Sequence, residues 1–526
     1  MKPADFDISF NTIPELLAQR LKANDNAIAI VDDDLQLSYA DLSTLVKRTA
    51  ASLSQMGIGN TSFVAIWGGN SWYWAVAAMA SWWCGAVIVP ISARAKGVEA
   101  ALLLDQIEPD LLFVDPVLAA QPRTDTGDAR SMDYRCPAIA LAEKPHELPH
   151  GLKPWAALSP GKASMAESPA QVKAEDLCEI LFTSGSSGTP KGVLRQHGQV
   201  ITNRFLNGRR RGFLSEDVLL ALPPFSHTLG LNGILLRTIM LGATMVITRN
   251  SNPRHIAELI QRHQITALAG PPSLYESLLA SGDLARESCS SLRLASIGSA
   301  SIPPELVSTL LASGVASVAS GYGMTECDTI ASATSDMGID AVAHTVGTPD
   351  PGIEVKIVDE HDQEVAPQTT GEIWVRGYAT TPGYFRAGDD SAELYARGHW
   401  MRTGDLGYWT KQGFLKVRGR RSEIITTFGY KVYPAEVEQL LLHSGLLQSV
   451  AVLGVAQRIA GQQCIAFVVP RQPEIYRRRE LQLWARQNLA DYKIPTQIFE
   501  LEELPLNTAG KVDRMALRRH YEVAHA

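Results

Sequence analysis

The chain lacks the signatures that most quickly assign a chemistry. Its six cysteines, Cys84, Cys136, Cys178, Cys289, Cys327 and Cys464, lie far apart. No CxxC pair and no Cys/His ligand spacing occurs, so neither a zinc site nor a disulfide framework is supported. Scattered thiols fit a reducing compartment and a cytoplasmic location. Positive charge is not in excess: 48 Lys and Arg stand against 55 Asp and Glu, for a net charge of −7. A general nucleic-acid binder, which presents a basic face, is therefore not expected. The N-terminal "MKPADFDISFNTIPELLAQR" carries acids early and has no apolar core segment, unlike a signal peptide. Internal repeats are absent. So is the P-loop pattern: in "LFTSGSSGTPKGVLRQHG" (181–198) Pro190 precedes the lysine and Gly192 follows it, where Gly-Lys-Ser/Thr is required.

Long hydrophobic runs are scarce, with one exception. Residues 72–91, "WYWAVAAMASWWCGAVIVPI", are uncharged and long enough to span a bilayer. Gly85 and Pro90 divide them into a helix-like part (72–83) and a β-branched part (86–89). A buried helix followed by a buried strand of a large α/β core is the expectation.

What is present is 526 residues of ordinary globular composition, 45% hydrophobic and 20% charged. That length implies roughly three or four domains of about 150 residues. From residue 27 to about 350, apolar strand-like runs ("NAIAIVD", "FVAIWGG", "AVIVPI", "DLLFVD", "CEILFT", "ATMVIT", "ITALAG", "LRLASIG") alternate with amphipathic stretches. Helices are expected at 254–262 and 303–313, the second opened by Pro303-Pro304. This alternation predicts parallel sheets covered by helices. Residues 117–175 read as a loop-rich connection. From 353 to 420 short strands with turns predict a β-rich subdomain. "GRRSE" (419–423) reads as a linker, and the last hundred or so residues as a small α+β unit. The division expected is 1–421 and 422–526.

Four stretches carry chemistry. After the strand 176–183, the hydroxyls of Ser184, Ser186, Ser187 and Thr189 and the glycines Gly185 and Gly188 can form an anion-binding nest, with Lys191 supplying charge. A flexible Gly/Ser linker is the bland alternative, but it would not need the lysine. "SGYGMTE" (320–326) nearly matches GxGxxG and ends on Glu326, which suits a Mg²⁺ ion bridging to phosphate better than direct phosphate contact. "TGDLGYW" (403–409) offers Asp405, read as lying in a turn between strands, where a carboxylate can accept ribose hydroxyls. "PLNTAGKVDR" (505–514) sets Lys511 in a Gly-containing loop. Each alone has a plain structural explanation. Together, with "GR" at 419–420, they resemble the adenylate-forming superfamily of acyl- and aryl-CoA synthetases, peptide-synthetase adenylation domains and luciferases. The resemblance runs from about residue 12 to 518. "AGPPSLYESLL", "RGY" and "YPAEVE" look most like bacterial acyl-CoA synthetases.

That resemblance implies a large N-terminal AMP-binding domain of two helix-covered sheets and a mobile C-terminal lid. It implies ATP, Mg²⁺ and CoA as cofactors. A carboxylate attacks the α-phosphate to give acyl-AMP and pyrophosphate, and a thiol then displaces AMP. Residues Thr183 to Gly192 would hold the β- and γ-phosphates, Thr325 would touch the α-phosphate and Glu326 would hold Mg²⁺. Gly298, Ser299 and Ala300 would line the adenine and Tyr322, flanked by Gly321, Gly323 and Met324, would stack on it. Asp405, assisted by Arg420, would bind the ribose. Lys511 would bridge the carboxylate and the α-phosphate. His227 would gate the acyl pocket and Gly429 would lie along the pantetheine tunnel. The hinge falls on Ser422, where the family usually has Asp or Lys.

The acyl pocket wall is expected in "HTLGLNG" (227–233), with Leu229, Gly230 and Gly233 making it apolar and roomy. The stretch "PPFSH" lacks the aspartate that binds an amino acid's ammonium group, so an α-amino acid is not expected. The readings are a CoA ligase for a medium-chain, alicyclic or aromatic monocarboxylate, or a stand-alone enzyme loading an acyl carrier protein. A luciferase-type monooxygenase and an inactive nucleotide-binding scaffold are the further alternatives. A homodimer is left open, and no membrane span is expected. The triplets at 209–211 and 477–479 are read as solvated surface rather than sites for CoA phosphates.

Overall fold

The computed structural model describes residues 8–22, 25–120, 135–142, 148–149, 151–158, 165–183, 190–282, 290–298, 302–427, 430–457, 461–507 and 511–524. They divide into two compact units: residues up to 354 together with 376–401, and 355–375 together with 402–526.

All eight apolar runs of the N-terminal region are strands, and they sort into two sheets. The seven-stranded sheet runs Leu152–Lys153, Ala138–Ala140, Leu111–Val114, Phe63–Trp67, Val87–Ile91, Leu177–Thr183, Lys191–Gln196. Its strands pair in parallel up to the final pair, which is antiparallel. The nine-stranded sheet runs Thr348–Pro349, Asp328–Thr334, Ser317–Met324, Leu294–Ile297, Ala267–Gly270, Val218–Ala221, Thr244–Ile247, Ile28–Asp32, Leu35–Ser38. Near-continuous burial along Val87–Ile91 and Leu111–Val114 is what a parallel strand covered on both faces requires.

The uncharged run divides at Gly85 as read, but Pro90 does not end the strand: it pairs with Ile66 inside it. Trp72–Trp83 is a helix and Val87–Ile91 a strand, with Gly85 turning between them at φ +81°. No helix among the described residues is long and apolar enough to cross a membrane. The helix is buried from Trp74 to Trp83. Its hydrophobic cluster takes in Val64, Ile66 and Ile88 of one sheet and Leu219, Ala221, Met245 and Ile247 of the other. Each large side chain buried there contributes about 1.5–3 kcal/mol. The indole of Trp82 donates to the carbonyl of Cys178 at 2.9 Å, so the apolar helix leaves that polar group satisfied.

The expected helices are found at Pro253–His263 and Pro304–Ala312. Two expectations need correction. Within 117–175, Ala138–Ala140 and Leu152–Lys153 are the last two strands at one end of the seven-stranded sheet, too short to stand out by pattern. "GRRSE" is less a linker than the end of strand Leu415–Arg420 followed by a 3₁₀ turn, Arg421–Glu423.

In the second unit a long hairpin, Leu447–Gln457 with Gly461–Pro470, is flanked by Gln497–Glu500 and by Ile425–Thr427 paired with Tyr430–Val432. Helices Pro434–Leu442 and Arg478–Asn488 cover it through a cluster including Val437, Leu441, Val452, Val468, Leu481 and Ala485. This is the small α+β body expected from the pattern.

Candidate active site

The stretch read as a candidate anion-binding nest and phosphate clamp is carried on a hairpin. Strand Leu177–Thr183 pairs antiparallel with Lys191–Gln196, and Thr183 and Lys191 are direct partners at its feet. The threonine hydroxyl donates to the Lys191 carbonyl at 3.4 Å. Ser184, Gly185, Ser186, Ser187, Gly188 and Thr189 lie outside the described residues. The Lys191 ammonium sits 5.3 Å from the centre of the Tyr384 ring.

The "YGMTE" stretch is the end of an antiparallel hairpin, Ser317–Met324 with Asp328–Thr334. Its glycines are needed for close approach. A Cβ on Gly323 would lie 2.0 Å from the Asp328 carbonyl oxygen, and one on Gly321 would overlap the Arg211 guanidinium. Tyr322 and Met324 stand on the strand opposite Ala331 and Asp328. Glu326 is buried, 8% exposed, and its Oε1 accepts a hydrogen bond from the Tyr384 hydroxyl at 3.0 Å. Among the described residues no three metal-ligating side chains cluster. Glu326 offers a single carboxylate to a cation. Mg²⁺ fits such a site, since it binds through one or two carboxylates and keeps substrate oxygens.

Beneath this hairpin lies a buried network of charges. Glu179 and Arg195, both fully buried, face each other across the clamp strands, 3.9 Å apart. Asp328 accepts from Arg195 at 3.3 Å, from Thr228 at 3.2 Å and from Arg204. Arg195 also donates to the Thr325 carbonyl at 3.1 Å. Asn232 donates to Glu179 at 2.7 Å. Burial lifts the Glu179 carboxyl to about 7 against the pull of Arg195. One network thus anchors Thr325, the turn at Thr228 and the helix carrying Asn232.

His227 opens that turn. Its Nδ1 accepts from Leu229 N at 3.2 Å, closing the short helix Thr228–Gly230, and a π-helical stretch, Leu231–Leu236, follows. Wide π turns recur at functional sites. Gly230 is glycine for a stricter reason than roominess: a Cβ there would sit 2.1 Å from the Pro224 carbonyl oxygen. A Cβ on Gly233 would meet Leu229 at 3.1 Å, and Leu229 packs on the main core. "PPFSH" is pinned by Asn70, which donates to the Ala221 and Pro223 carbonyls, both at 2.9 Å, and accepts from Phe225 N at 2.8 Å.

Gly298 ends strand Leu294–Ile297, its N–H bonded to the Gly270 carbonyl at 3.2 Å, with open space where a Cβ would point. Ser299 and Ala300 lie outside the described residues.

In the second unit Asp405 is not in a turn. It lies within strand Trp400–Trp409, where Gly404 at φ +70° bends the backbone and Thr403 Oγ1 accepts from Asp405 N at 3.0 Å. Its cross-strand partner is Arg420, whose Nε approaches Oδ1 at 3.3 Å. Asp405 is 6% exposed. Ser422 is exposed in the 3₁₀ turn, flanked by the Arg421–Glu372 pair at 3.2 Å and the Glu423–Arg514 pair at 3.5 Å. Lys511 is exposed. Its N–H bonds to Asn507 Oδ1 at 3.0 Å and its carbonyl accepts from Asn507 N at 2.7 Å, which closes the loop it terminates. Gly429 lies outside the described residues.

The triplet at 477–479 is exposed as read, with Arg478 paired to Glu500. The triplet at 209–211 is not: Arg210 binds Asp350 at 3.1 Å and Arg211 binds Ser296 and Ser332 at 3.0 and 3.3 Å, leaving Arg209 exposed. These arginines end a helix that packs against the nine-stranded sheet's hairpin, and Arg210 and Arg211 turn their donors toward that hairpin and its neighbours.

The residues that the resemblance assigned to ATP are thus a buried carboxylate beside a lysine-bearing hairpin in one unit, and a strand aspartate and loop lysine in the other. The chain belongs to the AMP-binding enzyme family. That family's profile matches residues 17–385, and the profile of the AMP-binding enzyme C-terminal domain matches residues 436–511. A 7a-methyl-1,5-dioxo-octahydro-1H-inden-4-yl propanoyl:CoA ligase of Mycobacterium tuberculosis is 31% identical, covering 96% of this chain and 98% of that protein. An indoleacetate–CoA ligase of Aromatoleum aromaticum is 30% identical, covering 93% and 94%. Among solved structures, ATP-bound MatB from Rhodopseudomonas palustris superposes with TM-score 0.86 at 27% identity, covering 98% of this chain and 100% of that one. The chain is an acid–thiol ligase of the AMP-forming, acyl-CoA synthetase type.

Several residues that brace this region carried no motif: Tyr384, Asn70, Asn232 and the buried Glu179, Arg195 and Asp328. Glu179 had one usable signal, a lone acid inside the apolar strand "LCEILFT", which demands a buried partner.

Proposed function

We propose that this enzyme activates a bulky cyclic monocarboxylate, alicyclic or aromatic, with ATP and transfers the acyl group to CoA. The observation that carries the acid class is the apolar turn and π-helical stretch after "PPFSH", where Ser226 stands in place of an ammonium-binding aspartate. Relatives that act on a fused-ring propanoate and on indoleacetate support it. Medium-chain acids remain within the same reading, given the 26%-identical medium-chain acyl-CoA ligase of Mus musculus.

In the first half-reaction two anions meet, so cations must stand where charge accumulates. The clamp hairpin with Lys191 holds the outer phosphates, Thr325 contacts the α-phosphate and Glu326 holds Mg²⁺. That ion, when bound, neutralises charge on the phosphates and pyrophosphate leaving group. Gly298, Ser299 and Ala300 line the adenine, and Tyr322 stacks on it. Asp405 accepts the ribose hydroxyls, oriented by its pair with Arg420. Lys511 supplies the positive charge bridging carboxylate and α-phosphate. His227 gates the acyl turn, Gly429 borders the pantetheine path and Ser422 serves as hinge, with the division at 421/422. A pyrophosphate-release screen over short, medium, alicyclic, aromatic and amino acids, with and without CoA, tests this reading. Cyclic monocarboxylates should give the highest kcat/KM, and preference for an α-amino acid would refute it.

A further inference from the structure

Tyr384 sits where the clamp and the Glu326 carboxylate are tied together. Its backbone forms a bridge with Val193 on the return strand of the clamp, and Phe385 N donates to the Gly192 carbonyl at 2.7 Å. Ser391 Oγ accepts from Tyr384 N at 2.9 Å. Three residues earlier, Thr381 N donates to the Glu326 carbonyl at 2.7 Å while Thr381 Oγ1 donates to the Leu194 carbonyl at 2.6 Å. Main-chain bonds thus join segment 381–385 to the clamp strand on one side and to Glu326 on the other. The Tyr384 side chain repeats this link. Its hydroxyl donates to Glu326 Oε1 at 3.0 Å, and its ring lies 5.3 Å from the Lys191 ammonium.

We propose that Tyr384 is a positioning residue that couples the phosphate clamp to the metal-binding carboxylate. The phenol gives each charge a neutral partner. The hydroxyl, hydrogen-bonded to one carboxylate oxygen, fixes the rotation of Glu326. The ring face attracts the Lys191 ammonium without neutralising it. Both charges are then pre-set for a nucleotide carrying Mg²⁺, and less side-chain ordering is left for the moment of binding. The inference rests on the reading of Glu326 as the Mg²⁺ ligand.

Calorimetric binding of ATP, in EDTA and in Mg²⁺, tests it without turnover. Tyr384→Phe keeps the ring and removes the hydroxyl. It should bind ATP in EDTA as the wild type does, while losing about ten-fold of the tightening that Mg²⁺ provides, the scale of one hydrogen bond to a charged group. Glu326→Gln should lose that tightening as well, and adding Tyr384→Phe to Glu326→Gln should lose nothing more. Tyr384→Ala should also weaken metal-free ATP binding, because Lys191 loses its ring. Should Tyr384→Ala fail to fold, the Phe variant decides alone. A Tyr384→Phe protein with the full Mg²⁺ effect, while Glu326→Gln has lost it, overturns the coupling and leaves Glu326 in place. A Glu326→Gln protein with the full Mg²⁺ effect overturns the metal reading, and the coupling with it.

Discussion

Asp328 is the carboxylate on which the buried network converges, and removing it is the sharpest perturbation the site offers. Asp328→Ala leaves two guanidinium groups in a space closed to water: Arg195 is 0% and Arg204 3% exposed. Arg195 retains Glu179 at 3.9 Å. Arg204 retains Asn203 and Thr329, which are neutral. Breaking a buried pair by removing one partner costs about 3–5 kcal/mol, because the remaining charge is stranded. The affected unit has roughly 380 residues, and an unfolding entropy of about 2.1 cal/mol/K per residue gives about 0.8 kcal/mol/K. The melting temperature of that unit should fall by about 4–6 °C. Calorimetry of the purified variant measures the shift. Arg204→Met in the same background removes the stranded charge and should recover part of the loss. Because Arg195 also holds the Thr325 carbonyl, pyrophosphate release should slow in the Asp328 variant. A melting temperature within about 1 °C of wild type, a drop of under about 1 kcal/mol, would refute the network's structural role.

The remaining predictions concern single residues. Burial holds Glu179 protonated in the folded chain between its ordinary 4.5 and about 7, where the unfolded chain releases the proton. Its contribution to stability is therefore complete below pH 4.5 and lost as pH rises through 7. The melting temperature of Glu179→Gln relative to wild type should rise from pH 5 to pH 8, and a pH-independent difference would contradict the assignment. Gly230→Ala forces a Cβ toward the Pro224 carbonyl; overpacking of this kind costs about 1–3 kcal/mol. It should raise KM for the acid more than KM for ATP. Lys511→Ala should slow acyl-AMP formation at least about 100-fold, as loss of a transition-state charge partner does, yet spare thioester formation from supplied acyl-AMP. Equal loss of both half-reactions would rule out its assigned role.

Much of the fold was legible because it rests on local signals. Eight apolar runs became strands, and Gly85 correctly divided the run that could have passed for a membrane span. What escaped was non-local. The strands Ala138–Ala140 and Leu152–Lys153 are three and two residues long, below the length at which periodicity speaks. Asp405 looked like a turn residue because glycine precedes it, whereas Gly404 is a positive-φ bend inside a strand whose register pairs Asp405 with Arg420. The arginines at 209–211 looked solvated, but the partners of Arg210 and Arg211 lie more than eighty residues away in sequence, at Ser296, Ser332 and Asp350. The site followed the same rule. Lys191, Glu326 and Lys511 stand in motifs that chemistry makes recognisable, while Tyr384, Asn70 and Asp328 act through contacts that only the folded chain creates.

The central claim is a two-step ligation through an acyl adenylate, and mass spectrometry of a single-turnover reaction tests it most directly. Enzyme, ATP, Mg²⁺ and a cyclic monocarboxylate without CoA should yield enzyme-bound acyl-AMP and free pyrophosphate. Addition of CoA should then convert that adenylate to the acyl-CoA thioester and AMP. Formation of ADP with an acyl phosphate, or an adenylate that CoA leaves unchanged, would contradict the account.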